Sequence, residues 1–411
     1  MTVFDGRDTG RSSLAIEVSV ADAIRLVRTA APSPRRKIIA LHKAHGRVLA
    51  DAVTARRDQP PFDASAMDGY AVSTLSAAGN TLTTIGESQA GRAFEGEVAA
   101  GQAVCIYTGA PVPAGATCVV LKEDTVRTGD TVTVQTSSSG KPHIRLQGGD
   151  FRNGDVLLQP GTRLDAWRLS LAAVAGAAKV CVARKPRVAI VCTGDELVEV
   201  GNTPRRDQIF ESNSFALKAL VRDWGGKTMI VRIGDDRKGL TQALQGVDAD
   251  LIVTVGGASV GDYDLVKPVL SAMGIRWAFG KVTIKPGRPT AFGQLPDGRY
   301  VLCLPGNPAA ALICAGLFLR PFVATMLGQS LPEPLLTLPL ANPLPANGPR
   351  ETFLRARIVC DEHGAASLVP FIDQDSSAIA AFAHTHALIR RPAHAPAIDI
   401  QHVVSYFVPS T

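Results

Sequence analysis

The stretch GGASVGDYD, Gly256 to Asp264, places glycines at Gly256, Gly257 and Gly261 beside Asp262 and Asp264. Glycines let backbone N–H groups approach an anion closely, and the two carboxylates offer hard oxygen ligands to a divalent cation. One loop of this kind could hold a phosphate together with its metal, and a tight turn with a solvated acidic rim meets the same description. The loop follows the apolar run DLIVTV (Asp250 to Val255) and precedes the helix-like LVKPVLSAMG (Leu265 to Gly274). A strand and a helix therefore position it, as in half of a parallel βαβ unit, whose strand ends are where open α/β sheets bind ligands.

Three more apolar runs end in polar turns. RVAIVC leads into Thr193-Gly194-Asp195-Glu196, KTMIVRI into Gly234-Asp235-Asp236, and RYVLCL into Pro305-Gly306-Asn307-Pro308. In a parallel sheet with right-handed crossovers all four turns share one edge, which predicts a binding cleft there. The carboxylates of Asp195, Glu196, Asp235, Asp236, Asp262 and Asp264 would leave excess negative charge that Mg²⁺ would neutralise. Between the last two strands, KVTIKPGRP supplies Lys281, Lys285 and Arg288 as donors for phosphate or another oxyanion.

Upstream, a helix is expected from an N-cap at Ser19, with Asp22 at the capping-box position, to just before Pro32. PPFDASAMDGYAV (Pro60 to Val72) cannot be a core strand, because proline lacks the ladder donor and aspartate disfavours strands. Its Asp63 and Asp68 either face a ligand or satisfy their own turn. Short β-prone runs from Ser73 to Lys141, punctuated by TGAPVPAG, predict a small β domain. HIRLQGGDFRNGDVLL then carries Arg145, Asp150 and Asp155, and a helix is expected from Ala166 to Ala175, closed by Gly176. After Gly328 a proline-rich linker leads to alternating strands, where Arg355, Arg357, Ser376 and Ser377 face either the cleft or a solvated rim. The expected domains are 14–50 with 142–182, an inserted 51–141, an α/β domain at 183–328 and a C-terminal β module at 336–411.

With 411 residues, of which 46% are hydrophobic, the chain is long enough for several cored domains. Aromatics at 5% and a net charge of +6 spread along the chain argue against a nucleic-acid surface. The seven cysteines sit mostly in apolar runs without a CxxC pair, which predicts buried thiols in a reducing, cytoplasmic compartment. The N-terminus lacks an apolar signal region, and the longest apolar run, near Ala309 to Leu319, is too short to span a bilayer, so no membrane is expected.

In this order and spacing, PPFDASAMDGYA, TGAPVP, TGDEL, GGASVGDYD, KPGRP and LPGNP resemble the molybdopterin molybdenumtransferase family, the MoeA-type proteins akin to the gephyrin E domain. The resemblance implies an elongated, multidomain α/β plus β protein. Its parts are a molybdopterin-binding α/β domain (mostly parallel sheet, helices on both faces), an inserted small β domain and a C-terminal β domain. It also implies a homodimer whose cleft joins the α/β domain of one subunit to the N-terminal domains of the other. The implied reaction is Mg²⁺-dependent insertion of molybdate into adenylylated molybdopterin, releasing AMP and forming molybdenum cofactor. The molybdopterin adenylyltransferase and apo-molybdoenzymes are the implied partners. Carried over by motif, Asp63, Asp68, Thr108 and Asp150 line one side of the cleft, with Asp63 catalytic. Glu196, Asp235 and Asp264 form the catalytic acidic group for Mg²⁺ and the pyrophosphate, while Gly256, Gly257 and Ser259 cradle a pterin phosphate. Lys281, Lys285, Arg288, Pro305 and Pro308 line the pterin and oxyanion site, joined by Arg355 and Ser376.

The chain departs from the family pattern at Ala64, Gly149, Ala258 and Ala310, and at Ala310 a hydroxyl that could serve an oxyanion is missing. A Mg²⁺-dependent pterin or nucleotide phosphoanhydride hydrolase or adenylyltransferase on the same α/β domain is the second enzyme reading. A gephyrin-like scaffold is the third, although no long interaction linker is present.

Overall fold

The computed structural model describes residues 14, 16–74, 77–136, 141–256, 265–330 and 336–409. They form two compact units, one drawn from residues 1–37, 46–50 and 182–411, the other from 38–45 and 51–181. Helix α1 spans Val20–Ala30, and Ser19 caps it by accepting from the Asp22 amide at 3.0 Å. Its buried face, Val20, Ala23, Val27 and Ala30, belongs to the core of the larger unit's α/β sheet.

The smaller unit is built on a sheet of β1 (Gly69–Val72), β2 (Thr81–Ser88), β3 (Gln102–Ile106), β4 (Cys118–Leu121), β5 (Thr125–Thr128) and β6 (Thr131–Val134), in the order β4-β1-β3-β2-β6-β5. Its β1 is buried throughout: the run GYAV turns Tyr70 and Val72 into one core and Ala71 into another. Helix α2 (Ala166–Val174) starts on an Asp165 N-cap and stops where Gly176 takes φ +83°.

In the larger unit the central sheet comprises β7 (Arg187–Thr193), β8 (Lys227–Ile233), β9 (Leu251–Val255), β10 (Arg276–Phe279), β11 (Ala291–Gln294) and β12 (Tyr300–Leu304). The order is β8-β7-β9-β12-β11-β10; the first four strands are parallel and the last two join antiparallel. Alternation divides the strands between two cores. Val188, Ile190, Cys192, Leu251, Val253, Val255, Leu302 and Leu304 face one, against α3 (Asn213–Asp223). Ala189, Val191, Ile252, Val301 and Cys303 face the other, against α4 (Arg237–Gly246) and α5 (Val266–Ala272). Both faces being covered explains why these strands read as continuous apolar runs.

A continuous helix runs from α6 (Pro308–Cys314) through a π-turn at Ala315–Leu319 to α7 (Arg320–Met326). By length and composition its 19 residues, which extend past the apolar run Ala309 to Leu319, could cross a membrane. Its apolar window is 67% buried, as expected of a core helix. The C-terminal strands β13 (Leu336–Pro339), β14 (Glu351–Cys360), β15 (Ala366–Pro370), β16 (Ala387–Arg391) and β17 (Val403–Phe407) form a sheet that the short strand Ile284–Lys285 joins beside β14. None of the seven cysteines forms a disulfide; Cys192, Cys303, Cys314 and Cys118 are buried, whereas Cys360 is exposed on a sheet end.

Candidate functional site

The carboxyl ends of β7, β8, β9 and β12 share one sheet edge, because these four strands are parallel neighbours. At that edge Asp195 and Asp235 clasp each other's backbone: the Asp235 amide donates to Asp195 Oδ1 at 2.9 Å, and the Asp195 amide to Asp235 Oδ2 at 3.4 Å. Asp236 is used differently, accepting from the amides of Lys238 and Gly239 as the N-cap of α4. Glu196 is exposed, and its carboxylate has no hydrogen-bond partner among the described residues. Gly194 makes room for it: at φ +144°, a Cβ there would lie 2.3 Å from Glu196 Oε2. Gly256, at φ +89°, ends β9 so close to β7 that a Cβ would stand 2.8 Å from the Thr193 carbonyl oxygen. Gly257, Ser259, Asp262 and Asp264 lie outside the described residues.

Glu196 and Asp235 supply hard carboxylate oxygens, the donor type Mg²⁺ prefers. No three such groups converge among the described residues. Mg²⁺ nonetheless commonly uses one or two carboxylates completed by phosphate oxygens and water, so the two residues fit that ion.

Further along the same edge a cavity of about 630 Å³ opens beside β12. Lys285, Arg288, Pro305, Asn307, Arg350 and Ser376 are among the residues that line it. Lys285 is exposed and has no hydrogen-bond partner among the described residues. Arg288 already makes a two-pronged ion pair with Glu17, 2.9 Å at each nitrogen, which holds Glu17 below the usual carboxylate range. Lys281 lies on a two-residue strand pairing with Glu17–Val18, and Pro308 begins α6 without lining the cavity. Ala310 lines it with a methyl group, so the hydroxyl expected there is absent.

Arg355 corrects the sequence assignment. It is 1% exposed, and its guanidinium donates to the carbonyls of Ala378, Asp373 (3.2 Å) and Asp375 (2.8 Å) while lying over the Phe382 ring. Those carbonyls belong to the loop that carries Ser376, so Arg355 shapes the cavity wall and does not reach into the cavity. Arg350 does line it, along with the ion-paired Arg288; its position just before β14 reads in sequence as the end of the proline-rich linker. A second residue missed from sequence is Glu211, 2% exposed, which accepts from the Ser214 amide and hydroxyl at the start of α3 and from the Cys192 thiol at 3.6 Å. Burial beside this carboxylate pushes the Cys192 thiol up to about 12, so it is a structural and not a reactive cysteine.

In the smaller unit, residues of three separate motifs meet. The pair Ala64–Ser65 runs antiparallel to Ile144–Arg145, and the Ser65 amide and carbonyl bond to the TGAP turn at Ala110 and Gly109. Asp68 accepts from both the Thr108 amide and the Thr108 hydroxyl, each at 2.7 Å, and Asp63 accepts from the Gln147 amide at 2.7 Å. These carboxylates therefore tie loops together, where a local turn had been the alternative to ligand contact. Asp150 is exposed, its carboxylate without a hydrogen-bond partner among the described residues.

The two Thr108 bonds favour ionised Asp68 and hold its carboxyl below the usual aspartate range. The clasp is therefore complete above that range and is lost as pH falls through the depressed value. Thr108→Val removes the hydroxyl donor only; the Asp68 midpoint followed by NMR is expected to rise toward the ordinary aspartate value, and an unmoved midpoint contradicts this account.

Comparison with known proteins covers nearly the whole chain. Residues 18–176 match the MoeA N-terminal region (domain I and II), 189–325 a probable molybdopterin binding domain, and 337–399 the MoeA C-terminal region (domain IV). A molybdopterin molybdenumtransferase of Staphylococcus epidermidis is 30% identical over 387 residues, 91% of each chain. One from a Nostoc species is 34% identical over 331 residues, 77% of this chain and 76% of the relative. Among solved structures, the molybdopterin biosynthesis MoeA protein of Pyrococcus horikoshii superposes with a TM-score of 0.80 at 27% identity, covering 95% of this chain and 100% of that one.

Proposed function

Because the chain belongs to the molybdopterin molybdenumtransferase family, we propose that it inserts molybdenum from molybdate into adenylylated molybdopterin with Mg²⁺, releasing AMP and forming molybdenum cofactor. It is a transferase of molybdenum cofactor biosynthesis. The observation that carries the fuller reading is one sheet edge with two chemistries. Carboxylates stand at the ends of β7 and β8, and a cavity with Lys285, Arg350 and Ser376 stands beside the end of β12. From β7 to β12 is two strand spacings, about 10 Å.

The division of labour follows from charge. Lys285 and Arg350 attract a tetrahedral oxyanion and, with Ser376, hold it in one orientation, so that the dithiolene end of the other substrate meets it already positioned. Glu196 and Asp235, with Asp264, would hold Mg²⁺, which when bound draws negative charge from the phosphoanhydride oxygens. Asp68 and Asp63 keep the PPFDASAMDG segment in shape, and Asp150 is the carboxylate there that remains open to substrate. We further propose a homodimer in the cytoplasm, a location that seven cysteines without a disulfide support. The adenylyltransferase that makes the substrate and the apo-molybdoenzymes that take the product are its proposed partners.

The test is reconstitution. Purified protein with adenylylated molybdopterin, Mg²⁺ and molybdate is expected to activate an apo-molybdoenzyme and release AMP in step. AMP release that is independent of molybdate, with no activation, would instead support the phosphoanhydride hydrolase reading.

A further inference from the structure

The Asn307 side chain occupies an N-cap position without capping. It precedes α6, where an asparagine normally accepts from an amide of the first turn, yet it makes no such bond. Its Nδ2 instead donates to Ser376 Oγ at 2.9 Å. The Ser376 backbone is held as well, its carbonyl accepting from the Ala309 amide at 3.1 Å. The neighbouring peptide is fixed in turn by Asn213, whose Nδ2 donates to the Gly306 carbonyl at 2.9 Å. Ser376 is thus gripped at its side chain by the turn that ends β12 and at its carbonyl by the first turn of α6.

A hydroxyl has one hydrogen to donate and lone pairs to accept with. Asn307 Nδ2 has no lone pair to offer, so its bond uses Ser376 Oγ as the acceptor. The hydroxyl hydrogen has no acceptor among the described residues, and Ser376 lines the cavity that contains Lys285 and Arg350. We infer that Asn307 is a positioning residue that commits the Ser376 hydroxyl to donate into this cavity, toward an oxygen of a bound tetrahedral oxyanion. The inference rests on the reading of the cavity as the molybdate site. It gives the asparagine of the Pro-Gly-Asn-Pro turn a role through polarity: an amide donor at this point leaves the hydroxyl hydrogen to the substrate, whereas an acceptor would capture it.

Asn307→Asp keeps the shape and reverses the polarity; Asn307→Ala removes the bond and leaves the hydroxyl free to rotate. Asn307 is exposed, so both variants should fold, and melting temperature checks this. Molybdate binding is measured by titration calorimetry on the full-length protein, alone and in a Ser376→Ala background. Asn307→Asp is expected to weaken binding roughly tenfold and Asn307→Ala less, as for the loss of one hydrogen bond to a charged group. In the Ser376→Ala background the difference between the two should vanish. Simple repulsion of molybdate by the new carboxylate would persist in that background, and a purely structural role would make the alanine variant the worse one; either result overturns the inference. If the wild type binds molybdate and all three variants match it, this inference falls while the proposed function stands. If the wild type binds none, both fall.

Discussion

Glu196→Ala is expected to lower molybdenum insertion by about a hundredfold or more, the usual effect of removing a group that holds charge at a reacting centre. Stability should change by no more than ~0.5 kcal/mol, because the side chain is exposed and ties nothing else down. That combination separates a chemical role from a structural one. Gly194→Ala should cost activity to a smaller degree, since φ +144° strains a residue with a Cβ and its methyl group would push the Glu196 carboxylate aside. Activity within a few-fold of wild type in the Glu196 variant, measured by reconstitution of an apo-molybdoenzyme, would remove Glu196 from the acidic group.

Arg355→Ala is expected to show the opposite profile. The guanidinium is buried and satisfies three carbonyls of the 373–378 loop, so truncation leaves those acceptors without a donor and opens a void. The expected cost is about 3–5 kcal/mol, seen as a fall in melting temperature and in the denaturant midpoint. Molybdate affinity should drop too, because the loop carrying Ser376 is no longer pinned. Arg350→Ala should weaken molybdate binding while leaving the melting temperature near wild type. If the two arginines exchanged these profiles, the assignment of Arg355 to the wall and Arg350 to the cavity would be wrong.

The contrast between these arginines shows where sequence is a good guide. Strands such as RVAIVCT and LIVTV are legible because parallel strands covered on both faces must be apolar at every position, and the polar turns after them stand out. Parallel pairing then places those turns on one edge without any knowledge of distances. Arg355 sits in ETFLRARIVC, where alternation suggests an outward-facing residue. Nothing local reveals that residues 373–378 fold over it and offer their carbonyls. Arg350 lies in a stretch whose prolines suggest a linker. Asp235 and Asp236 are adjacent and chemically alike, yet only the start of α4 decides that Asp236 is consumed as a cap. Likewise KVTIK divides between two partners: Lys281–Val282 pairs with Glu17–Val18, and Ile284–Lys285 with Glu351–Thr352. Such pairings depend on residues far away in the chain.

The central claim is that the cavity beside β12 receives molybdate. A crystal soaked in molybdate and recorded at the molybdenum absorption edge would locate the metal directly. The account predicts an anomalous peak within hydrogen-bonding reach of Lys285, Arg350 and Ser376, and its loss in a Lys285→Ala crystal. A peak at another place on the protein, with this cavity holding none, would contradict it.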